Sequence, residues 1–156
     1  MNSLLQLKTI RPILTTLTLI CFWLLPPLKA QCPSACGGGA NTALGNGALD
    51  SITTAINNTA VGANALGDDT TGSFNAAIGS SALGNNTVGF QNMAVGADAL
   101  AANIDGNFNM AIGFRALWLN QHGGQNTAIG AAALKNNTAG NCRTRSNHRP
   151  PTDRQW

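Results

Sequence analysis

From residue 41 to residue 142 the apolar residues recur neither at the helical spacing of about 3.6 residues nor in one unbroken alternation, but in blocks of fixed length. Each block reads N-x-A-[ILV]-G-x-x-A-L and is followed by eight residues rich in Asn, Asp, Thr and Gly. The blocks are NTALGNGAL at Asn41, NTAVGANAL at Asn58, NAAIGSSAL at Asn75, NMAVGADAL at Asn92, NMAIGFRAL at Asn109 and NTAIGAAAL at Asn126. Every interval between those asparagines is 17 residues. A period of this kind implies units that bury their apolar face only by stacking on their neighbours.

Within a unit, glycine decides against helix. Position five is Gly in every copy (Gly45, Gly62, Gly79, Gly96, Gly113, Gly130), and five copies carry a second at position fifteen (Gly72, Gly89, Gly106, Gly123, Gly140). Each interior Gly costs a helix about 1 kcal/mol relative to Ala, so helices interrupted this often do not persist. The run x-A-[ILV]-G alternates as a strand does, with Thr59 and Val61 on one face and Ala60 on the other; a second short strand is drawn through pairs such as Ala65-Leu66. Stretches such as GDDTTGSF supply turns, with a positive φ expected at their glycine.

Two strands and two turns per unit describe an all-β chain, a parallel β-solenoid of about six 17-residue coils. Coils stacked about 4.8 Å apart would make a rod roughly 29 Å long. Sequence columns then become physical ladders. The leading Asn column is expected to form an amide ladder. The ninth-position leucines (Leu49, Leu66, Leu83, Leu100, Leu117, Leu134), together with the fourth-position Leu, Val or Ile, are expected to fill a thin interior, while Ala at positions three and eight allows close approach of backbones or chains.

These repeats resemble those of trimeric autotransporter adhesin heads, the YadA-like left-handed parallel β-roll, and of related bacterial surface and phage-fibre proteins. The likeness spans about two thirds of the chain, with a longer period than is usual in those heads. It implies an exported, adhesive homotrimer that binds a host, matrix or cell-surface ligand. So few large apolar side chains against so much chain entropy also point to a homo-oligomer, most simply a trimer.

The first thirty residues read as a signal peptide. Lys8 and Arg11 precede an apolar run from Ile13 to Leu25, and cleavage is expected after Ala30. Residues 31–40 form a Cys/Gly-rich linker, and the exported chain would hold Cys32, Cys36 and Cys142, an odd number that closes no disulfide framework. The expected location is secreted or at the cell surface, associated with the outer membrane. Membrane contact is expected only through the export segment or an anchor outside this sequence.

Partitioning the charge changes its meaning. The whole chain is +3, but residues 41–142 carry Arg115 and Lys135 against Asp50, Asp68, Asp69, Asp98 and Asp105, a net −3. That array has no basic stripe, so nucleic acid is not an expected partner. The sequence contains no Glu and no Tyr, and its two His are far apart. No catalytic, cofactor-binding or metal site is expected. The aspartates fall in different columns, which does not suit a repeated calcium site.

The fifth copy departs from the rest, with Phe114, Arg115 and Trp118 where other copies place small or polar residues. These three form a candidate contact patch. Residues 143–156 break the pattern and read as a disordered basic tail. They also suit a second reading, in which the chain is a truncated or frameshifted fragment of a larger adhesin or phage-type fibre. A third reading, an ice- or crystal-binding solenoid, needs an unbroken Thr column; position two runs Thr42, Thr59, Ala76, Met93, Met110, Thr127 and is interrupted.

Overall fold

The structure is a computed structural model and describes residues 39–147; the export signal, the cleavage after Ala30, Cys32, Cys36 and the end of the basic tail lie outside the described residues. The chain is a parallel β-solenoid. Strands β1 (Thr42–Leu44), β2 (Thr59–Val61), β3 (Ala76–Ile78), β4 (Met93–Val95), β5 (Met110–Ile112), β6 (Thr127–Ile129) and β7 (Thr144–Ser146) make one sheet in sequence order. All pairings are parallel, and each residue sits over the one 17 positions later, as in Ala60↔Ala77.

The sheet runs past the expected end of the array. Thr144–Ser146 pairs in register with β6, so residues expected to open a disordered tail instead begin a seventh coil. Backbone pairing asks for no particular side chain, and Arg145 can take an alanine's place in β7, where it is exposed at the edge of the described sheet.

Each coil has one strand rather than two. The Ala-Leu pair expected to form a second strand lies in a turn, because the leucine adopts the left-handed region: φ is 49° at Leu66, 51° at Leu83 and 52° at Leu100. That conformation costs a non-glycine residue on the order of 1–2 kcal/mol. Two things hold it there. The turn still hydrogen-bonds coil to coil, with Leu66 N–H donating to the Ala82 carbonyl at 3.0 Å and Leu83 N–H to that of Ala99 at 2.9 Å. It also aims the leucine side chain inward, where Leu66, Leu83, Leu100 and Leu117 are wholly buried.

The interior is built from positions three, eight and nine. Ala60, Ala77, Ala94, Ala111 and Ala128 of the strands join Ala65, Ala82, Ala99, Ala116 and Ala133 and the leucines in one core cluster; Leu134 packs against its end. The fourth-position aliphatics are not in it. Leu44 is 66% exposed and Ile78 46%, while Val61, Val95 and Ile112 are half-buried. With the central alanine of each strand turned inward, its two neighbours must point out. The inward positions of each coil are instead taken by its alanines, its leucine and buried asparagines such as Asn75 and Asn86.

Close stacking fixes the glycine of position five. At Gly79 φ is 134°, and a Cβ there would lie 2.6 Å from the Gly96 carbonyl carbon. The positive φ expected in the polar turn falls instead on residue seventeen, such as Phe74, Gln91 and Phe108.

Candidate functional site

The leading asparagines point into the roll. Asn58, Asn75, Asn92, Asn109 and Asn126 are buried, and Asn41 is half-buried at the first coil. From Asn41 to Asn109 each side-chain oxygen accepts the backbone N–H of the next asparagine, as in Asn75 N to Asn58 Oδ1 at 2.7 Å and Asn109 N to Asn92 Oδ1 at 2.9 Å, and that of Asn126 accepts from Arg143 N at 3.0 Å. The amide nitrogen donates to a turn carbonyl fourteen residues on, as in Asn75 Nδ2 to Gly89 O at 2.8 Å. Direct amide-to-amide bonds of the kind expected join the later coils, at 3.2 Å from Asn92 to Asn75 and 3.0 Å from Asn126 to Asn109. This column seals strand to turn, which is a structural duty.

A second ladder was not anticipated. Asn86, Asn103, Asn120 and Asn137 stack at position twelve, with Asn103 Nδ2 donating to Asn86 Oδ1 at 2.7 Å and to Gly106 O at 3.0 Å. No buried side-chain nitrogen or oxygen among the described residues lacks a partner. The signal lay in the sequence, in an Asn column four copies long, but it began late: the first copy has Ile52 there and the second Asp69.

Among the described residues Asp69 is the one ionisable side chain drawn into the interior. Its Oδ1 accepts from Gly72 N at 3.0 Å and Asn86 Nδ2 at 3.1 Å, and its Oδ2 from Asn58 Nδ2 at 3.2 Å. Desolvation by burial raises its pKa from 3.8 to about 7, against the opposing pull of the bonds from Asn86 and Gly72. Ile52, itself buried, holds the same column one coil earlier and offers the carboxylate nothing polar.

Outside the roll two surfaces stand out. Along the strand face the fourth-position aliphatics stack in register with Met93 and Met110 of position two, both exposed. Phe74 and Phe108 at the corner before the strand are also exposed, and Phe90 meets Phe108 edge-on with centroids 5.1 Å apart. A run of exposed aliphatic and aromatic side chains along successive coils is the kind of surface that marks an interaction site.

The second surface gathers the expected patch. Phe114 is 52% exposed, and the Arg115 guanidinium lies 4.9 Å from its ring centroid and 5.0 Å from that of Trp118. Two residues not singled out beforehand complete it. Asp98 accepts from Arg115 Nε at 3.1 Å, and the Lys135 ammonium sits 5.2 Å from the Trp118 centroid. Both lie 17 residues from the group they touch, one coil back and one coil on. Leu119, beside Trp118, is half-buried.

Elsewhere, Asp105 and His122 pair one coil apart at 2.7 Å, and the exposed Cys142 thiol donates to Gln125 Oε1 at 3.2 Å. Among the described residues no group of three or more His, Cys, Asp or Glu is arranged to hold a metal ion, and no helix is long and apolar enough to cross a membrane. Comparison of the chain with protein-family models, with curated proteins and with solved structures finds no match in any of the three.

Proposed function

We propose that this chain is the exported head module of a bacterial cell-surface protein, a YadA-like trimeric adhesin head that binds through surface contacts and carries no catalytic chemistry. The observation that carries the reading is the inverted strand face. Alanine lies inside the roll, while Leu44, Val61, Ile78, Val95, Ile112 and Ile129, with Met93 and Met110, face outward in register along the sheet. Such a face is best covered by identical faces of two further copies, since a stable association buries on the order of 1,000 Å² or more and a parallel array offers matched rows to its own copies.

The corner bearing Phe114, Arg115 and Trp118 lies on residues six to ten of its coil, away from strand residues two to four. In a trimer closed through the strand faces it stays available to a host, matrix or cell-surface ligand. The export-signal pattern of residues 1–30 agrees with a cell-surface or secreted location.

Light scattering on the purified protein tests the assembly. The expected species has three times the chain mass, and Met93→Lys with Met110→Lys should reduce it to the monomer while circular dichroism stays unchanged. A wild-type monomer at micromolar concentration would sink the trimeric reading; adherence of bacteria displaying the protein tests the adhesive one.

A further inference from the structure

Charge is divided along the axis of the roll. Every aspartate among the described residues lies in the first four coils (Asp50, Asp68, Asp69, Asp98, Asp105), and every Lys or Arg lies beyond them (Arg115, Lys135, Arg143, Arg145). The cations follow one another up the last coils, and three of them line a single surface cavity. Lys135, Arg143 and Arg145 border it, together with Leu134, Asn136 and Asn137, around a volume of about 510 Å³.

Lys135 belongs to both features. Its ammonium lies against the Trp118 ring, which also carries Arg115 on the patch already described. The aromatic contacts hold two long cationic side chains in place before any ligand arrives, so less conformational freedom is lost on binding. Of these four cations only Arg115 faces a carboxylate, giving its Nε to Asp98, while Arg145 gives its Nε to the neutral Asn147 Oδ1 at 3.2 Å and keeps its charge uncompensated. Among the described residues, the side chains of Lys135 and Arg143 make no hydrogen bond.

We propose that the cavity at the carboxy-terminal coils, with the Trp118 corner beside it, is a binding site for a sulfated glycan chain. Guanidinium and ammonium groups supply charge-assisted donors to sulfate and carboxylate oxygens. The exposed Asn136 amide suits a sugar hydroxyl, whereas the Asn137 nitrogen is already given to Asn120 Oδ1 and Gly140 O, and the exposed Phe114 ring suits the apolar face of a pyranose. Duplex nucleic acid fits less well. A stiff polyanion continuing past the patch would run along the aspartate-bearing coils, whereas a short flexible glycan segment can end where the positive charge ends. The inference rests on the adhesive reading only for where such a ligand would be met.

The test measures binding of the purified full chain at physiological salt to three probes: a size-defined heparin oligosaccharide, a hyaluronan oligosaccharide that carries carboxylates but no sulfate, and a DNA duplex of similar charge. The heparin oligosaccharide should bind more tightly than the other two. Lys135→Gln with Arg143→Gln should weaken it at least about tenfold, as expected when two charge-assisted contacts are lost, and should lower the slope of log K against log salt by about one per cation removed. Arg149→Gln with Arg154→Gln should leave the affinity within about twofold. Circular dichroism confirms that each variant keeps its fold.

Equal or tighter binding of the DNA duplex overturns the proposal, as do an unaffected Lys135/Arg143 double variant or an equal loss in the Arg149/Arg154 variant. Preference for hyaluronan over heparin refutes the sulfate requirement. Adhesion is scored separately: a protein that binds the oligosaccharide yet adheres to no cell sinks the adhesive reading alone, and one that adheres without binding it sinks this site alone.

Discussion

Replacing Asp69 by Asn should change how stability depends on pH. In its own coil Asp69 stands where Asn86, Asn103, Asn120 and Asn137 stand in theirs, and a protonated carboxyl can do what those amides do. One oxygen accepts from the next rung, and the other would carry the proton toward the Gly72 carbonyl, just as Asn86 Nδ2 donates to Gly89 O at 2.9 Å. Burial above Ile52 strips water from the ionised form, and that desolvation raises the pKa to about 7 despite the bonds from Asn86 and Gly72.

The sign follows from which state holds the proton more tightly. Below the unfolded value of 3.8 both states are protonated, and the native state has its full stability. Between 3.8 and about 7 the folded chain keeps a proton that the unfolded chain has released, so stability falls as pH rises. Above that window both are ionised and the loss is complete. At about 1.4 kcal/mol per pKa unit the loss is on the order of 4 kcal/mol, a large part of the typical 5–15 kcal/mol, roughly, that holds a domain folded.

Asp69→Asn should therefore be about as stable as wild type near pH 4 and more stable at pH 8 by up to about 4 kcal/mol. Urea unfolding followed by far-ultraviolet circular dichroism at matched concentrations measures both curves. The two proteins keep every other titratable side chain, His122 included, so their difference isolates this carboxyl. Parallel curves across that range, or a variant less stable than wild type at pH 8, would refute the reasoning.

Gly79→Ala should cost at least about 3 kcal/mol, read as a fall in the unfolding midpoint, because its Cβ meets the Gly96 backbone at 2.6 Å; Gly67→Ala, whose nearest neighbour lies at 3.4 Å and whose φ is not positive, should cost far less. Leu83→Ala removes the one large side chain that its coil places in the core and should cost about 2–5 kcal/mol by the same measurement. Phe114→Ala with Trp118→Gly, the residues that other copies use, should leave circular dichroism unchanged but reduce adherence; unchanged adherence would retire the patch as a contact site.

Much of this fold was legible because a 17-residue period converts sequence distance into contact. The parallel register, the buried leucine column and the buried leading asparagines all follow from it. Three side-chain pairs follow from the same period: Asp98 with Arg115, Asp105 with His122 and Trp118 with Lys135 each lie 17 residues apart and touch. The dihedral angles were not legible. Left-handed φ falls on leucine, phenylalanine and glutamine, residues with no intrinsic preference for it. Only the stacked hydrogen bonds and the burial of the leucine select that conformation.

The choice of inner face failed for a reason that bears on function. The usual rule puts the larger aliphatic inside, and applied to each strand it sends Leu, Val or Ile in and Ala out. The solenoid reverses this, because its inward positions are taken by the alanines, the leucine of position nine and buried asparagines. Once that geometry is fixed, the fourth-position aliphatics have nowhere in the chain to go. The Leu, Val and Ile column that reads as the core of one chain is therefore the apolar surface that the proposed trimer would cover.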